Sequence, residues 1–393
     1  MLRFLTAGES HGPCLTTIIE GIPAGLTFGK EAIDEQLRRR QGGYGRGGRM
    51  KIERDAVEVL SGVRHGYTLG SPITLRIENR DWVNWQERMS AQPVATPTEP
   101  IEPVTRVRPG HADLTGALKY GHQDVRNVIE RASSRETAAR VAAGAVCRQL
   151  LAAFGIAIHS HVLAVGGVGY PAGAEPELSA LDADFWARVD ASEMRCADAG
   201  LTARMIERIL EGKRQGDTCG GVFEVVAFGV PPGLGSYSQW DRRLSARIGQ
   251  ALLSIPSAKG VEIGGGFALA ALPGSQVHDV VRHDEARGWY HLSNHAGGIE
   301  GGISNGEPIV ARVAVKPIPT LAHPLPSADI ATGENIEATR YERSDVCVVP
   351  AAGVVGEAML ACALADAWVE KFGGDSLSEM RRNYEGYLAT LAH

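Results

Sequence analysis

Apolar positions open the chain in short runs. Residues 2–5 are mostly apolar, and Leu15-Thr16-Thr17-Ile18-Ile19 is rich in β-branched side chains, so the pattern predicts two strands joined by a corner. Over 30–40, Ala32, Ile33 and Leu37 share one face, which predicts a helix that stops at Gln41-Gly42-Gly43. Residues 56–77 read as two strands. Residues 79–108, with four prolines between 93 and 103, read as irregular surface chain. The longest helix signal spans 134–154, where Ala138, Ala139, Val141, Ala142, Ala145, Val146, Leu150 and Leu151 cover most of the circumference. Such a helix is buried on several sides. After a Gly/Pro break at 166–173, the pattern predicts a helix at 201–212, a strand at 220–228 and a helix at 241–253. A Gly-rich tract at 260–306 precedes a strand at 309–315 and a second Ala-rich buried helix at 351–372. Strands and helices alternate without a βαβ cadence, so the class is α+β. No linker divides the chain, and 1–393 reads as one domain.

Composition narrows the class. The 393 residues are 44% hydrophobic, 22% charged and 6% aromatic, enough for a large core. No run of 18 apolar residues predicts a membrane span, and the first strand leaves no room for the basic and apolar regions of a leader. The six cysteines (14, 147, 196, 219, 347 and 362) are scattered without a C-x-x-C pair, which predicts reduced thiols and a cytoplasmic protein. A net charge of −6 counts against nucleic acid as a partner.

Two motifs are decoys. Gly8-Glu9-Ser10-His11-Gly12 spells the G-x-S-x-G of a hydrolase nucleophile elbow, which needs a strand before the serine and a helix after it. Pro13 and the strand signal at 15–19 remove the helix. What remains is a corner presenting Glu9, Ser10 and His11. Gly43-Tyr44-Gly45-Arg46-Gly47-Gly48 spells a dinucleotide fingerprint, but it follows a helix instead of opening one.

The same Gly-rich loop carries Arg38, Arg39, Arg40, Arg46, Arg49 and Lys51, whose forks suit phosphate and carboxylate. Tyr44 is the one aromatic among them, too few for stacking on RNA bases. A second basic cluster, Arg131-Ala132-Ser133-Ser134-Arg135-Glu136, contains a capping box that places Ser133 at the N-cap of the 134–154 helix. A helix N-terminus flanked by arginines suits an anion. His11 and His111 each sit on a Gly or Pro turn, and Arg343-Ser344-Asp345 precedes the second buried helix. The other histidines, including His159-x-His161 and His291-x-x-x-His295, lack metal-ligand spacing, so no metal is expected. These groups predict an enzyme for a phosphorylated or multiply carboxylated small molecule, without naming the reaction.

GESHG at 8–12, RASSRETAARVAAG at 131–144 and RSDVCVVPAAG at 343–353 resemble the three signatures of the chorismate synthase family. RPGHAD at 108–113, KGVEIG at 259–264 and SNHAGG at 293–298 match it too, in family order over nearly the whole chain. The resemblance implies a layered β–α–β sandwich assembled as a homotetramer. It implies an anti-1,4-elimination of phosphate from 5-enolpyruvylshikimate 3-phosphate to give chorismate, with reduced FMN and no net redox change. It assigns His11 as general acid, His111 to the flavin N1 side and Asp345 to the N5 side. Arg131, Ala132, Ser133, Pro256, Ser257, Gly301, Lys316, Pro317, Ile318, Pro319, Thr320 and Arg343 match FMN-contacting positions, although the family commonly has Asn-Ala where this chain has Pro256-Ser257. Arg40, Arg46, Arg49, Arg108 and Arg135 fall to the substrate and, where it serves as reductant, to NADPH. The rival reading is a cofactor-free phosphatase or other phosphoryl-handling enzyme using the same arginines.

Overall fold

The computed structural model describes residues 1–47, 53–171, 173–339 and 344–391. Two antiparallel sheets enclose a layer of helices. The first contains β1 (Arg3–Ala7), β2 (Cys14–Glu20), β3 (Val57–Ser61) and β4 (Ile73–Glu78) in the order β1-β2-β4-β3. Alternation sets its register: Leu15, Thr17 and Ile19 pair with Ile77, Leu75 and Ile73, and all six are buried on one face. Ile18 and Glu20, one residue out of phase, face outward.

The second sheet contains β5 (Ala157–Val165), β6 (Val168–Gly169), β7 (Gly221–Phe228), β8 (Ala258–Ile263) and β9 (Ile309–Val315), ordered β8-β9-β7-β5-β6. Its central strand β7 is covered on both sides. Phe223, Val225 and Ala227 face the main core, while Val226 joins Leu181, Phe185, Trp186, Val189 and Val310 under an outer helix, Ala183–Ala191.

Between the sheets lie α1 (Lys30–Gln41), α4 (Thr137–Ala152), α7 (Leu244–Leu253) and α8 (Val349–Phe372); α2 (Asp113–Tyr120) and α3 (Arg126–Ala132) lead into α4, while the outer helix α5 (Ala183–Ala191) and α6 (Ala199–Arg214) pack against the second sheet. Helix α4 packs on the first sheet and α8 on the second, and the two pack on each other. Gly144 marks their crossing: a Cβ there would lie 2.4 Å from Ala358 Cα. The start of the chain also meets α8, since Leu2 N–H donates to Asp366 Oδ1 at 2.9 Å. This is the layered α+β sandwich that the sequence predicts.

Three expectations change. The longest helix is α8, 24 residues, whereas the α-helical part of 134–154 is 16 residues. A separate 3-10 turn, Ser134–Glu136, precedes α4, and Ser133 Oγ accepts from Arg135 N–H. The Glu136 carboxylate turns instead to Thr6 Oγ1 (3.0 Å) and Arg140 Nε (2.9 Å), so the capping box is half formed. Finally, α8 is long and apolar enough to cross a membrane, yet its most apolar stretch is 89% buried in the protein.

The basic cluster near residue 40 does not stay together. Helical periodicity sends Arg38 outward to Glu35 (2.6 Å) and Arg39 inward to Glu357 (2.6 Å), while Arg40 points at the end of α4. Glu357, on the buried length of α8, also meets Arg148 (2.5 Å), Arg195 (3.1 Å) and Ser160 Oγ (2.7 Å). Burial works against its charge, but Arg39, Arg148 and Arg195 hold the carboxyl well below its usual range.

Candidate active site

A cleft of about 850 Å³ opens where the two sheets and the N-terminal end of α4 meet. Its floor is the α3–α4 junction. Arg135 there donates to Asp55 Oδ1 (2.6 Å) and Asn79 Oδ1 (2.9 Å); Arg40 donates to Thr137 Oγ1 (2.9 Å), Ser134 O (3.1 Å) and Asp55 Oδ2 (3.4 Å). Asp55 thus serves two buried guanidiniums, and Glu53 Oε2 lies 3.8 Å from Arg135 Nη2. Burial pushes Arg40 down to about 9; Asp55 opposes this, while Arg135 and Arg46 add to it.

The first wall is the β1–β2 corner. Gly8 makes it possible: its φ is +106°, and a Cβ would strike Cys14 O at 2.3 Å. Gly12 needs no such conformation. Ser10 is buried, its Oγ 3.0 Å from Ser133 Oγ. His11 Nδ1 sits 2.9 Å from Glu130 Oε2, and its ring stacks on Trp85 with centroids 4.0 Å apart and planes at 23°. Burial would raise the Glu130 carboxyl, but His11 and Arg126 outweigh it and hold it low.

The opposite wall carries His111, whose Nδ1 hydrogen-bonds Asp113 Oδ1. Arg108 braces the same carboxylate through Nε (2.9 Å) and its backbone N–H (3.0 Å), and reaches Thr320 Oγ1 (3.1 Å). Burial opposes the Asp113 charge, yet His111 and Arg108 keep that carboxyl well below the usual range. Both histidines are therefore braced alike, by a carboxylate that an arginine also pairs. Beyond them the ends of β8 and β9 contribute Ser257, Lys259 and Lys316. Burial, and then Lys259, lower the Lys316 ammonium. The third side joins the loop after α1 to the segment before α8: Arg46 Nη1 meets Asp345 Oδ2 at 2.8 Å, and Gly47 N–H donates to Asp345 Oδ1 at 2.5 Å.

Of the residues singled out in the sequence, His11, His111, Asp345, Arg40, Arg46, Arg108, Arg135, Ala132, Ser133, Pro256, Ser257, Lys316, Ile318, Pro319 and Thr320 line this one cleft. Pro317 lies between lining residues without lining it. Arg131 turns away, donating to Thr6 O (3.0 Å) and Gly8 O (3.2 Å), where it holds the corner from outside. Gly301 is an exposed turn residue near Tyr237. Arg49 and Arg343 fall outside the described residues.

A family model described as chorismate synthase matches residues 2–369. The chain belongs to the chorismate synthase family. It is 57% identical to the chorismate synthase of Geotalea daltonii over 398 residues, covering 100% of this chain and 99% of that one. It is 58% identical to that of Geobacter sulfurreducens, covering 99% and 98%. A crystal structure of a chorismate synthase matches with a TM-score of 0.77 and 44% identity, covering 100% of this chain and 98% of the other. The chain is accordingly a lyase of aromatic amino-acid biosynthesis, converting 5-enolpyruvylshikimate 3-phosphate to chorismate and phosphate.

In this chorismate synthase family member the cleft also holds residues that the sequence does not announce: Asp81, Trp85, Arg126 and Lys259 line it, and Glu130 and Asp113 stand behind its histidines. Asp81 and Trp85 come from the 79–108 segment, read as plain surface chain. The only local signal is a pair of tryptophans, Trp82 and Trp85, ahead of the Pro-rich part of the stretch.

Proposed function

We propose that the elimination runs in this cleft with reduced FMN, and that His11, His111 and Asp345 handle its protons. The carrying observation is the lining itself: two carboxylate-braced imidazoles among Arg40, Arg46, Arg108, Arg126, Arg135, Lys259 and Lys316, with Asp81 and Asp345 as the carboxylates beside them. A substrate with one phosphate and two carboxylates needs that cationic excess. The volume is at the upper end of what small-molecule sites use, which suits a cofactor beside a substrate. Ala132, Ser133, Pro256, Ser257, Lys316, Ile318, Pro319 and Thr320 would hold the cofactor, with Lys259 and Lys316 near its phosphate. When bound, the reduced flavin supplies electronic assistance to carbon–oxygen cleavage without net redox change.

The residues of the chain do the rest. His11, as imidazolium, gives its Nε2 proton to the departing phosphate oxygen as the carbon–oxygen bond breaks. Asp345 takes the proton lost from the substrate ring. His111 keeps a proton in the cleft to offset negative charge beside it. Arg46 also faces NADPH where the protein reduces its own flavin. The family resemblance supports a cytoplasmic homotetramer, and exposed Trp240, Phe267 and Trp289 supply apolar surface for assembly.

Anaerobic titration with reduced FMN and substrate, following the flavin spectrum and chorismate together, tests this reading. Chorismate should form only when reduced flavin is present. Phosphate release without any flavin would overturn the proposal in favour of a cofactor-free phosphatase.

A further inference from the structure

His11 is gripped from three directions. Glu130 accepts from its backbone N–H (Oε2, 2.8 Å) and meets Nδ1 with both carboxylate oxygens (2.9 and 3.0 Å). Trp85 stacks on the ring. Asp81 Oδ2 lies 4.0 Å from Nε2 and is itself fixed by Trp85 Nε1–H at 3.2 Å. Among the described residues, the charged groups that meet His11 or its partners include Glu130 and Arg126 on α3 and Asp81 just past β4; Arg135, tied to Asp55, lines the same cleft. Glu130 is almost wholly buried and lies outside the cleft lining, so it acts through His11.

We propose that Glu130 is the positioning residue of His11, committing Nδ1 to a carboxylate so that Nε2 always exchanges the proton with the ligand. The inference rests on the reading of His11 as the acid. An imidazole with Nδ1–H locked on Glu130 has one neutral tautomer. The nitrogen that loses the proton is then the nitrogen that regains it, and no ring flip intervenes between turnovers. Arg126, 3.2 Å from Oε1, holds the same carboxylate in place. The same division holds for Asp113 between His111 and Arg108.

Glu130→Gln keeps the shape and removes the charge. Nitrogen-15 NMR on the labelled whole protein without cofactor, with the His11 ring assigned by its loss in His11→Ala, reads which ring nitrogen carries the proton. Wild type should show the neutral ring with Nδ1 protonated, and Glu130→Gln should show both tautomers. Turnover with reduced FMN should fall roughly tenfold or more in that variant. Glu130→Asp, which restores the carboxylate, should recover much of both effects. Unchanged turnover, or lost turnover with the His11 tautomer unchanged, would reduce Glu130 to a structural cap and overturn the proposal. Full turnover in His11→Ala would instead remove the acid role of His11, and with it the purpose assigned to Glu130, whatever the tautomer data show.

Discussion

Arg46 Nη1 lies 2.8 Å from Asp345 Oδ2, across almost 300 residues of chain, and it ties the loop after α1 to the segment that opens α8. The loop is pinned again where Gly45 O accepts from Val346 N–H at 2.8 Å. One carboxylate therefore both anchors a cleft-facing arginine and faces the cleft itself.

Arg46→Ala should weaken substrate binding while leaving the fold intact. A charge-assisted hydrogen bond contributes about 1.5–3 kcal/mol, so KM for the phosphorylated substrate should rise roughly 10- to 100-fold. Steady-state kinetics under anaerobic conditions with saturating reduced FMN measure it. Thermal unfolding should stay close to wild type, because Cys347 N–H and Val346 N–H still bond Gly45 O.

Ser10 and His11 should behave oppositely. His11→Ala should lose about 10²–10⁴-fold in turnover, the worth of a positioned general acid, and still bind FMN. Ser10→Ala forfeits its bond to Ser133, a loss of roughly 0.5–1.5 kcal/mol of stability, and should keep considerable activity. Abolished turnover in Ser10→Ala with near-normal His11→Ala would revive the nucleophile elbow.

Glu357 is a stability residue by the same logic of buried charge. Glu357→Gln leaves Arg39, Arg148 and Arg195 with one carboxylate, Asp190, and should cost about 3–5 kcal/mol in chemical denaturation. Its folded carboxyl is depressed below the ordinary 4.5, so its contribution is complete above that value and is lost as pH falls below it. Wild type should therefore weaken more steeply than the variant on acidification below about 4.5.

Gly144→Ala pits two effects against each other. Helix propensity alone would stabilise the variant by about 1 kcal/mol. The new methyl would lie 2.4 Å from Ala358 Cα and 2.6 Å from its carbonyl oxygen, backbone atoms that cannot turn away. Overpacking should win, with a net loss of about 1–3 kcal/mol in thermal unfolding. Gly386, on the C-terminal helix Leu377–Leu391 with nothing within 4 Å of its Cβ position, supplies the control: Gly386→Ala should stabilise.

Local pattern carried much of the fold. Strand 309–315 stands where its alternation places it, and α1 ends within one residue of its Gly-Gly stop. The sites of His11, His111, Asp345 and the arginines were legible because glycine, proline and charge cluster in short stretches there. Glu130, Asp81 and Trp85 were not, since a carboxylate meeting a histidine 119 positions away leaves no periodicity to read. Arg39 shows the converse error: beside Arg38 and Arg40 it looks like one basic patch, and only the 100° turn per residue reveals three destinations.

The bond from Leu2 N–H to Asp366 Oδ1 has a consequence for how the protein comes into being. The first strand pairs with β2 early, but the bond that ties Leu2 down waits until the final long helix has been made. At about 5–20 residues per second, that wait lasts roughly 20–70 s. Throughout it, Leu2 and Arg39 stand without Asp366 and Glu357, their partners on α8. A truncated product ending before α8 would carry the first two signatures and no working cleft, and would be a client for chaperones and proteases instead of a slow enzyme.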